Sequence, residues 1–406
     1  MNKPELLIPA SCPEVFETAL LYGADAVYIG GELYGLRAKA KNFSFEEMKD
    51  CIILAHEKKK KVYVTANITA HNADIEGIKE YFKELETIHP DGLIISDPGV
   101  FELAREFAPG IERHISTQAN NTNWMTYKFW WDRGAKRVVS ARELSLTEIK
   151  EIRSHIPEEM EIETFVHGAM CISYSGRCLL SNFLTGRDAN RGECTHPCRW
   201  KYYLMEETRP NEYFPVFENE RGTYIFNSKD MCMIEHIPEL CAAGINSFKV
   251  EGRMKTALYV ATVARTYRKA IDDFFEDPKK YYDNIPFYRE NISKCTYRNF
   301  TTGFFFGKPG PDAQVYDSNV YVKEYTYLGM PKFINDSGEA VIEQKNKFSV
   351  GDTVEIMHPD GTDSVSEVLS IRDAEGNNMD SCPHAKQEIY VKFSVMPKSH
   401  EIIRCK

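Results

Sequence analysis

The sequence predicts an α/β protein: a TIM-like (β/α)8 barrel with a cysteine-bearing insertion, followed by a small all-β barrel domain. Short apolar runs alternate with amphipathic stretches from residue 3 to about 277, which is the pattern of repeated strand and helix units. About sixty residues interrupt that rhythm before its last strand. After residue 319 the helical pattern gives way to strand-like runs separated by turn residues, which is typical of a small β-barrel.

Eight apolar runs are predicted to be the strands of the first domain. Eight strands each followed by a helix, within roughly 250 residues or somewhat more, fit a closed barrel better than an open sheet. The predicted strands are 5–9, 26–30, 62–68, 93–96, 114–118, 137–141, 162–167 and 247–251. Helices are predicted at 44–60 and 74–88, and Ser44 with Glu47 and Ser145 with Glu148 have the spacing of capping boxes.

The chain is predicted to have three parts. Residues 1–280 form a TIM-barrel-like catalytic domain with the insertion at 168–232, residues 281–318 are a linker, and residues 319–406 form the C-terminal β-barrel domain. The second half of the insertion, 200–226, alternates aromatic and polar residues and is predicted to be a hairpin over the barrel mouth. The strands expected in the last domain are 320–327, 339–343, 352–357 and 388–395.

Composition predicts a cytoplasmic protein with no membrane contact. No run reaches the roughly 18 apolar residues of a membrane span, and the first ten residues lack the pattern of a signal peptide. Eleven cysteines are many for a reducing compartment, and an odd number argues against a fully paired disulfide framework, so some should be ligands. The formal net charge of −10 gives no overall attraction to nucleic acid, so any RNA contact requires a local basic surface.

Four cysteines in the insertion are the strongest chemical signal. Cys171, Cys178, Cys194 and Cys198 have the spacing C-x6-C-x15-C-x3-C, with glycines at 168, 176, 186 and 192 among them. Thiolates are the usual ligands of iron–sulfur clusters, and the wide first spacing favours a cluster over structural zinc, whose ligands usually come in close pairs. Structural zinc and unliganded thiols stay open as alternatives, and Cys232 is a rival for the fourth ligand position.

Several segments carry a family resemblance. The run ETFVHGAMC at 163–171, followed by CLLS at 178–181, resembles the signature of the collagenase-like peptidase family U32. Further matching segments cover essentially the whole chain: 3–7, 22–28, 96–99, 140–145, 227–230 and 249–253. No HExxH zinc motif or GxSxG nucleophile elbow is present, so the sequence offers no recognisable peptidase centre.

Within that family, segments 187–201 and 345–352 are most similar to the branch that hydroxylates transfer RNA. The resemblance implies synthesis of 5-hydroxyuridine at the wobble position of the anticodon loop, with prephenate as hydroxyl donor and a 4Fe-4S cluster. The ligands of that branch fall on Cys171, Cys178, Cys194 and Cys198. The ubiquinone-hydroxylation branch uses a cysteine near Cys232, so the fourth ligand stays open.

Residues at the carboxyl ends of the predicted strands are candidates for the reaction, because that end of a barrel carries the active site. A dicarboxylate needs guanidinium groups, and Arg142 and Arg253 are the first candidates, with Arg37 and Arg177 behind them. His167 could donate to the substrate or to a cluster sulfur. The alternatives are an ion pair of Arg142 with Glu143 and a purely structural histidine. Other polar residues at these ends are Asn67, His71, Gln118, Asn120 and Glu251.

A cationic and aromatic stretch is predicted to contact the anticodon loop, because unpaired bases stack on aromatic side chains while cations bind phosphates. Its members are Arg187, Arg191, His196, Arg199, Trp200, Lys201, Tyr202 and Tyr203. Three other functions stay open: hydroxylation of ribosomal RNA cytidine, an accessory role in ubiquinone hydroxylation with a homologous partner subunit, and collagenase-like proteolysis.

Overall fold

The computed structural model describes residues 2–35, 42–171, 173–200, 218–219, 222–223, 228–309 and 322–406. Contacts divide the chain into two compact units. The barrel unit comprises Met1–Phe16, Ala24–Met254 and Tyr297–Tyr321, and the C-terminal unit comprises Glu17–Gly23, Lys255–Thr296 and Val322–Lys406. No described helix is both long and apolar enough to cross a membrane.

Seven strands of the barrel unit follow one another in a parallel sheet, each paired with the next in chain order. Their central residues are buried on both faces, as expected where helices cover the outside. The strands are β1 (Glu5–Pro9), β2 (Ala26–Gly30), β3 (Lys61–Ala66), β4 (Gly92–Ile95), β5 (Glu112–Ile115), β6 (Arg137–Val139) and β7 (Glu161–Ala169).

Six helices connect these strands, and both predicted capping boxes are confirmed. The side chains of Ser44 and Ser145 accept hydrogen bonds from the backbone N–H groups of Glu47 and Glu148, respectively. Each glutamate side chain in turn accepts a hydrogen bond from the backbone N–H of its serine. The helices are α1 (Pro13–Leu21), α2 (Phe45–Glu57), α3 (Ile75–Ile88), α4 (Pro98–Phe107), α5 (Trp124–Trp131) and α6 (Leu146–His155).

The insertion after β7 contains a short helix, α7 (Leu180–Thr185), and two two-residue strands that pair antiparallel, β8 (Glu218–Asn219) and β9 (Gly222–Thr223). The rest of the hairpin predicted at 200–226 lies outside the described residues. The chain then forms β10 (Asp230–Cys232), which pairs antiparallel with the end of β7, and α8 (Ile237–Ala242).

The eighth barrel strand, β11 (Ser247–Val250), pairs in parallel with both β7 and β1 and so closes the sheet. The predicted TIM-like barrel is therefore confirmed, and every predicted strand overlaps an observed one. Closure places the carboxyl ends of all eight strands around one mouth.

The C-terminal unit contains three helices and an antiparallel sheet. The helices are α9 (Ala257–Glu276), α10 (Pro278–Asp283) and α11 (Ile285–Ile292), so part of the predicted linker is helical. A two-residue strand of the barrel unit, β12 (Phe300–Thr301), precedes the sheet and pairs with β10. The sheet strands are β13 (Thr326–Gly329), β14 (Pro331–Ile334), β15 (Ala340–Glu343), β16 (Thr353–Met357), β17 (Asp363–Arg372), β18 (Asn378–Met379), β19 (Glu388–Phe393) and β20 (Ile402–Cys405).

The pairing order of that sheet is β13-β20-β16-β17-β19-β15-β14, with β18 beside β17. The strands at the two ends of this order, β13 and β14, are separated along the chain by Met330 alone. The apolar residues of the sheet form one buried cluster that includes Val354, Val368 and Val391. The predicted all-β character is confirmed. The predicted domain boundaries at residues 280 and 319 remain a prediction. The contacts group α9 to α11 with the antiparallel sheet.

Candidate active site at the carboxyl end of the barrel

The three residues predicted to be catalytic all lie where barrel strands end. Arg142 follows β6, His167 is near the end of β7, and Arg253 follows β11. In a barrel of this kind the loops at this end carry the chemistry, whereas the opposite end serves stability. The fold therefore places all three on the side where a substrate would bind.

Arg142 is held by three groups on two other strands. Its Nη1 donates to the carbonyl oxygen of Ala169 at 2.6 Å, and its Nη2 lies 3.5 Å from Oε2 of Glu251. The guanidinium carbon lies 3.9 Å from the centre of the Phe165 ring. Its buried Nε has no hydrogen-bond partner in the described part of the chain. The ion-pair partner of Arg142 is thus Glu251 rather than Glu143, whose pKa is raised by burial.

Arg253 lies on the other side of the mouth, over the ends of β2 and β3. Its Nη1 donates to Oγ1 of Thr65 at 3.1 Å and its Nη2 donates to Oδ1 of Asn42 at 2.9 Å. Gly30 makes this position possible, because a Cβ added there would lie 2.4 Å from Nη2 of Arg253. Arg142 and Arg253 therefore bind separate partners on opposite sides of the end of β11.

His167 is buried in the sheet at the barrel mouth. Its backbone is in register with Cys232 of β10 on one side and with Val250 of β11 on the other. Its ring centre lies 5.7 Å from that of Phe300. The extra strand β10 thus covers His167 and brings Cys232, the rival cluster ligand, next to it in the ladder.

The insertion begins at a backbone position that only glycine tolerates. Gly168 has φ of +108°, and a Cβ there would lie 2.4 Å from the carbonyl oxygen of Glu251. The chain therefore leaves β7 in close contact with the end of β11. β7 ends one residue later, at Ala169, and Cys171 follows it.

The four predicted ligands are accessible to solvent to different degrees. Cys171 is exposed, and Cys178, Cys194 and Cys198 are partly exposed. The backbone N–H of His196 donates to Sγ of Cys194 at 3.4 Å. Among the described residues no three His, Cys, Asp or Glu side chains stand close enough together to hold a metal ion. The donor set thus has the type and number that a cluster needs, but the thiols do not form a preassembled cage.

The insertion is fixed to three different loops at the barrel mouth. The carbonyl oxygen of Ala169 accepts from Arg142, as described above, and that of Ser175 accepts from Nδ2 of Asn120 at 3.1 Å. The carbonyl oxygen of Asn190 accepts from the N–H of Thr69 at 3.2 Å. Because these partners follow β6, β5 and β3, the insertion extends across the carboxyl ends of the strands. Sequence reasoning missed these anchors.

The strongest anchor is an ion pair between Arg191 and Asp74. Nη1 of Arg191 lies 3.0 Å from Oδ2 of Asp74, and Nη2 lies 3.1 Å from Oδ1. The two hydrogen bonds from Arg191 lower the pKa of Asp74 to about 2. Arg191, predicted to contact RNA, is therefore engaged within the protein. Of the other predicted RNA contacts Trp200 is exposed, whereas Lys201, Tyr202 and Tyr203, like the candidate Arg37, lie outside the described residues.

Charged side chains fill the opposite end of the barrel interior. Arg137 contacts Glu5 at 2.6 Å and Glu163 at 3.0 Å, and Nζ of Lys249 lies 2.7 Å from Glu163. Burial opposes ionisation of Glu5, yet Arg137 lowers the pKa of that carboxyl to about 2. The sequence analysis missed this network, although charged residues at the starts of otherwise apolar strands were a visible signal.

Two family models match this chain. A sequence model of peptidase family U32 matches residues 12–314, and a model of the peptidase family U32 C-terminal domain matches residues 323–404. Together they cover nearly the whole chain, including every candidate site residue.

Three relatives extend the comparison. The chain is 41% identical to "tRNA hydroxylation protein P1" of Bacillus subtilis, over 98% of this chain and 93% of that protein. It is 38% identical to "tRNA hydroxylation protein P" of Escherichia coli, over 99% of this chain and 96% of that protein. It is 33% identical to the 23S rRNA 5-hydroxycytidine synthase of Escherichia coli, over 89% of this chain and 52% of that protein. This chain therefore belongs to peptidase family U32.

Proposed function

We propose that this chain hydroxylates RNA and that its substrate is transfer RNA. The observation that carries the proposal is end-to-end similarity to two proteins named for tRNA hydroxylation, of which it covers 93% and 96%. The ribosomal RNA synthase is less similar, at 33% identity, and the match spans only 52% of its length. The comparison thus favours transfer RNA over ribosomal RNA.

The finer proposal is conversion of wobble uridine to 5-hydroxyuridine with prephenate as hydroxyl donor. A 4Fe-4S cluster would be held by Cys171, Cys178, Cys194 and Cys198, with Cys232 as the rival fourth ligand. The exposure of Cys171, the partial exposure of the other three predicted ligands and the N–H···S contact at Cys194 support this assignment. Bound there, a cluster would supply electron transfer or a Lewis acid at the barrel mouth.

The two arginines would bind and orient the donor. Each guanidinium presents a planar fork that matches one carboxylate, so a dicarboxylate could be held between Arg142 and Arg253. Arg142 has a buried Nε available and only a long 3.5 Å contact with Glu251, which a substrate carboxylate could replace. Arg253 donates to the neutral oxygens of Thr65 and Asn42, which fix its orientation. His167, buried beside β10, would position groups at the mouth.

Deletion of the gene followed by mass spectrometry of nucleosides from purified transfer RNA tests the function. We expect 5-hydroxyuridine and its derivatives to disappear in a strain without a second such pathway. The wild-type gene should restore them, and Arg142→Gln and Arg253→Gln should not. Unchanged nucleosides in the deletion strain would refute transfer RNA as the substrate.

Iron and sulfide analysis of anaerobically purified protein tests the cluster separately. Serine at 171, 178, 194 or 198 should remove most of the iron, whereas Cys382→Ala, in the buried core of the C-terminal unit, should retain it. Loss of iron in Cys232→Ser together with retention in one of the four would assign the fourth ligand to Cys232. Iron-free wild-type protein that still restores the nucleoside would refute the cluster.

A further inference from the structure

The short helix α7 in the insertion has two chemically different faces. Ser181 and Thr185, four residues apart, point inward, and the hydroxyl oxygen of each lies within hydrogen-bond distance of Thr195 Oγ1. Leu179 and Phe183, also four residues apart, lie on another face and are 67% and 82% exposed. The polar face thus holds the helix in place, and in the described part of the chain the apolar face is largely exposed to solvent.

This exposure is unusual for side chains of this kind. Burial of a large apolar side chain stabilises a fold, yet Phe183 is 82% exposed. The next residue, Leu184, is also exposed, as is Tyr174 in the turn before the helix. Contiguous exposed apolar residues of this kind mark a surface that binds a partner.

Cations flank the apolar face on both sides. Arg177 is exposed two residues before Leu179, and Arg187 follows the end of α7 and is partly exposed. In the part of the chain that the structure describes, neither guanidinium has an ion-pair partner, whereas Arg191 is neutralised by Asp74. In a chain of net charge −10, Arg177 and Arg187 supply positive charge within six residues of Phe183 in the sequence.

We propose that Leu179 and Phe183, flanked by Arg177 and Arg187, form the platform on which unpaired bases of the RNA substrate stack. Aromatic rings bind any base face and cations bind the adjoining phosphates, which is the combination that single-stranded RNA requires. This platform belongs to the same insertion as the predicted cluster ligands. The hydrogen bonds of Ser175 with Asn120 and of Arg191 with Asp74 attach that insertion to the carboxyl end of the barrel. The inference rests on the proposed function and assigns the part of the protein that holds the RNA.

Binding of anticodon stem-loop RNA to the anaerobically purified full chain tests the proposal. Phe183→Ala should weaken binding roughly tenfold or more, and Phe183→Trp should retain it. The matched control is Phe333→Ala, since Phe333 is 52% exposed on β14 in the C-terminal unit. Equal binding by wild type and Phe183→Ala would overturn the proposal, and so would an equal loss in the control.

Salt dependence separates the two kinds of contact. Arg177→Gln and Arg187→Gln should each reduce the slope of log affinity against log salt by about 0.7. Phe183→Ala should leave that slope unchanged, because stacking releases no counterions. A slope altered by Phe183→Ala but not by the arginine variants would overturn the assigned roles.

A photo-crosslinker identifies what covers the ring. Phe183→p-benzoylphenylalanine should cross-link to bases of the anticodon loop, and cross-links confined to a second copy or to this chain's own residues would overturn the proposal.

Nucleoside analysis distinguishes failure of the RNA platform from failure of the proposed hydroxylation. A wild-type chain that makes 5-hydroxyuridine but binds RNA independently of Phe183 refutes the platform alone. A chain that binds RNA through Phe183 but leaves its nucleosides unchanged refutes the hydroxylation alone.

Discussion

Arg191 and Asp74 join the cysteine insertion to the loop after β3 through two parallel hydrogen bonds of 3.0 and 3.1 Å. The pair is 117 residues apart in sequence, so it closes a long loop at the barrel mouth. Since Cys194 follows Arg191 by three residues, this ion pair also limits where that thiol can lie.

Replacing Arg191 with lysine should loosen the insertion without unfolding the barrel. Lysine keeps the charge but cannot form the two-point contact with Asp74. We expect limited proteolysis within residues 173–200 to become several-fold faster, at an unchanged midpoint of thermal unfolding. The control is Arg105→Lys, in which an exposed pair with Glu102 on α4 is altered. Equal cleavage rates in wild type and Arg191→Lys would contradict the anchoring role.

Replacing Glu163 with glutamine should destabilise the barrel strongly. Glu163 is fully buried and accepts from both Lys249 and Arg137, so its loss leaves two buried cations without their shared carboxylate. Removing one partner of a buried ion pair costs about 3–5 kcal/mol. Urea unfolding should show this loss in the free energy of unfolding. The exposed pair of Glu80 and Lys83 supplies the control, since Glu80→Gln should cost under about 1 kcal/mol. Similar costs for both variants would contradict the structural importance of the network.

His114 should make the barrel less stable in mild acid. Burial lowers its pKa, although Glu112 and Glu163 act in the opposite direction and Arg137 reinforces the effect. Below the unfolded pKa of about 6.5 the unfolded chain takes up a proton that the folded chain still excludes. The free energy of unfolding should therefore fall as the pH drops from 6.5 towards the lower folded pKa.

His114→Gln removes this titration, so its free energy of unfolding should vary less over the same pH range. The exposed His155, which stacks on Trp124, is the control position. An identical pH dependence in wild type and His114→Gln would show that residue 114 is not the source of the effect.

Asp363 should be essential to the C-terminal unit. Its carboxylate accepts from Arg265 at 2.7 Å and from Arg404 at 2.8 Å, and both arginines are buried. Asp363→Asn should lower the free energy of unfolding by about 3–5 kcal/mol, because two buried guanidinium groups lose their common counter-charge. Asp360→Asn, three residues earlier in the exposed turn, should have a much smaller effect. Comparable losses at both positions would refute the special role of Asp363.

The barrel was predictable from sequence because its strands are short apolar runs separated by helices with recognisable caps. The prediction placed β5 at 114–118, whereas the strand is Glu112–Ile115 and a turn follows. Ser116 caps that turn by accepting from the N–H of Gln118, a local polar contact that competes with the extended conformation. In the last domain β17 was missed, because its apolar residues do not match its core-facing positions: Ser366 is buried, whereas Val365 and Leu369 are exposed.

The candidate site was predictable only in its residue types. The cysteine spacing and the strand ends identified Cys171, Arg142, His167 and Arg253, but which partners hold them depends on contacts between distant segments. Asn42 on Arg253 and Asn120 on Ser175 are such contacts, and no local pattern indicates them. The exposed face of α7 also escaped prediction, because exposure is a property of the folded insertion.

The buried ion pairs of Arg137, Glu163 and Lys249 have a consequence for substrate access. Because packed side chains fill the interior of a barrel of this kind, a substrate cannot pass through it. On the proposed function, the hydroxyl donor and the RNA must therefore both approach from the carboxyl ends of the strands.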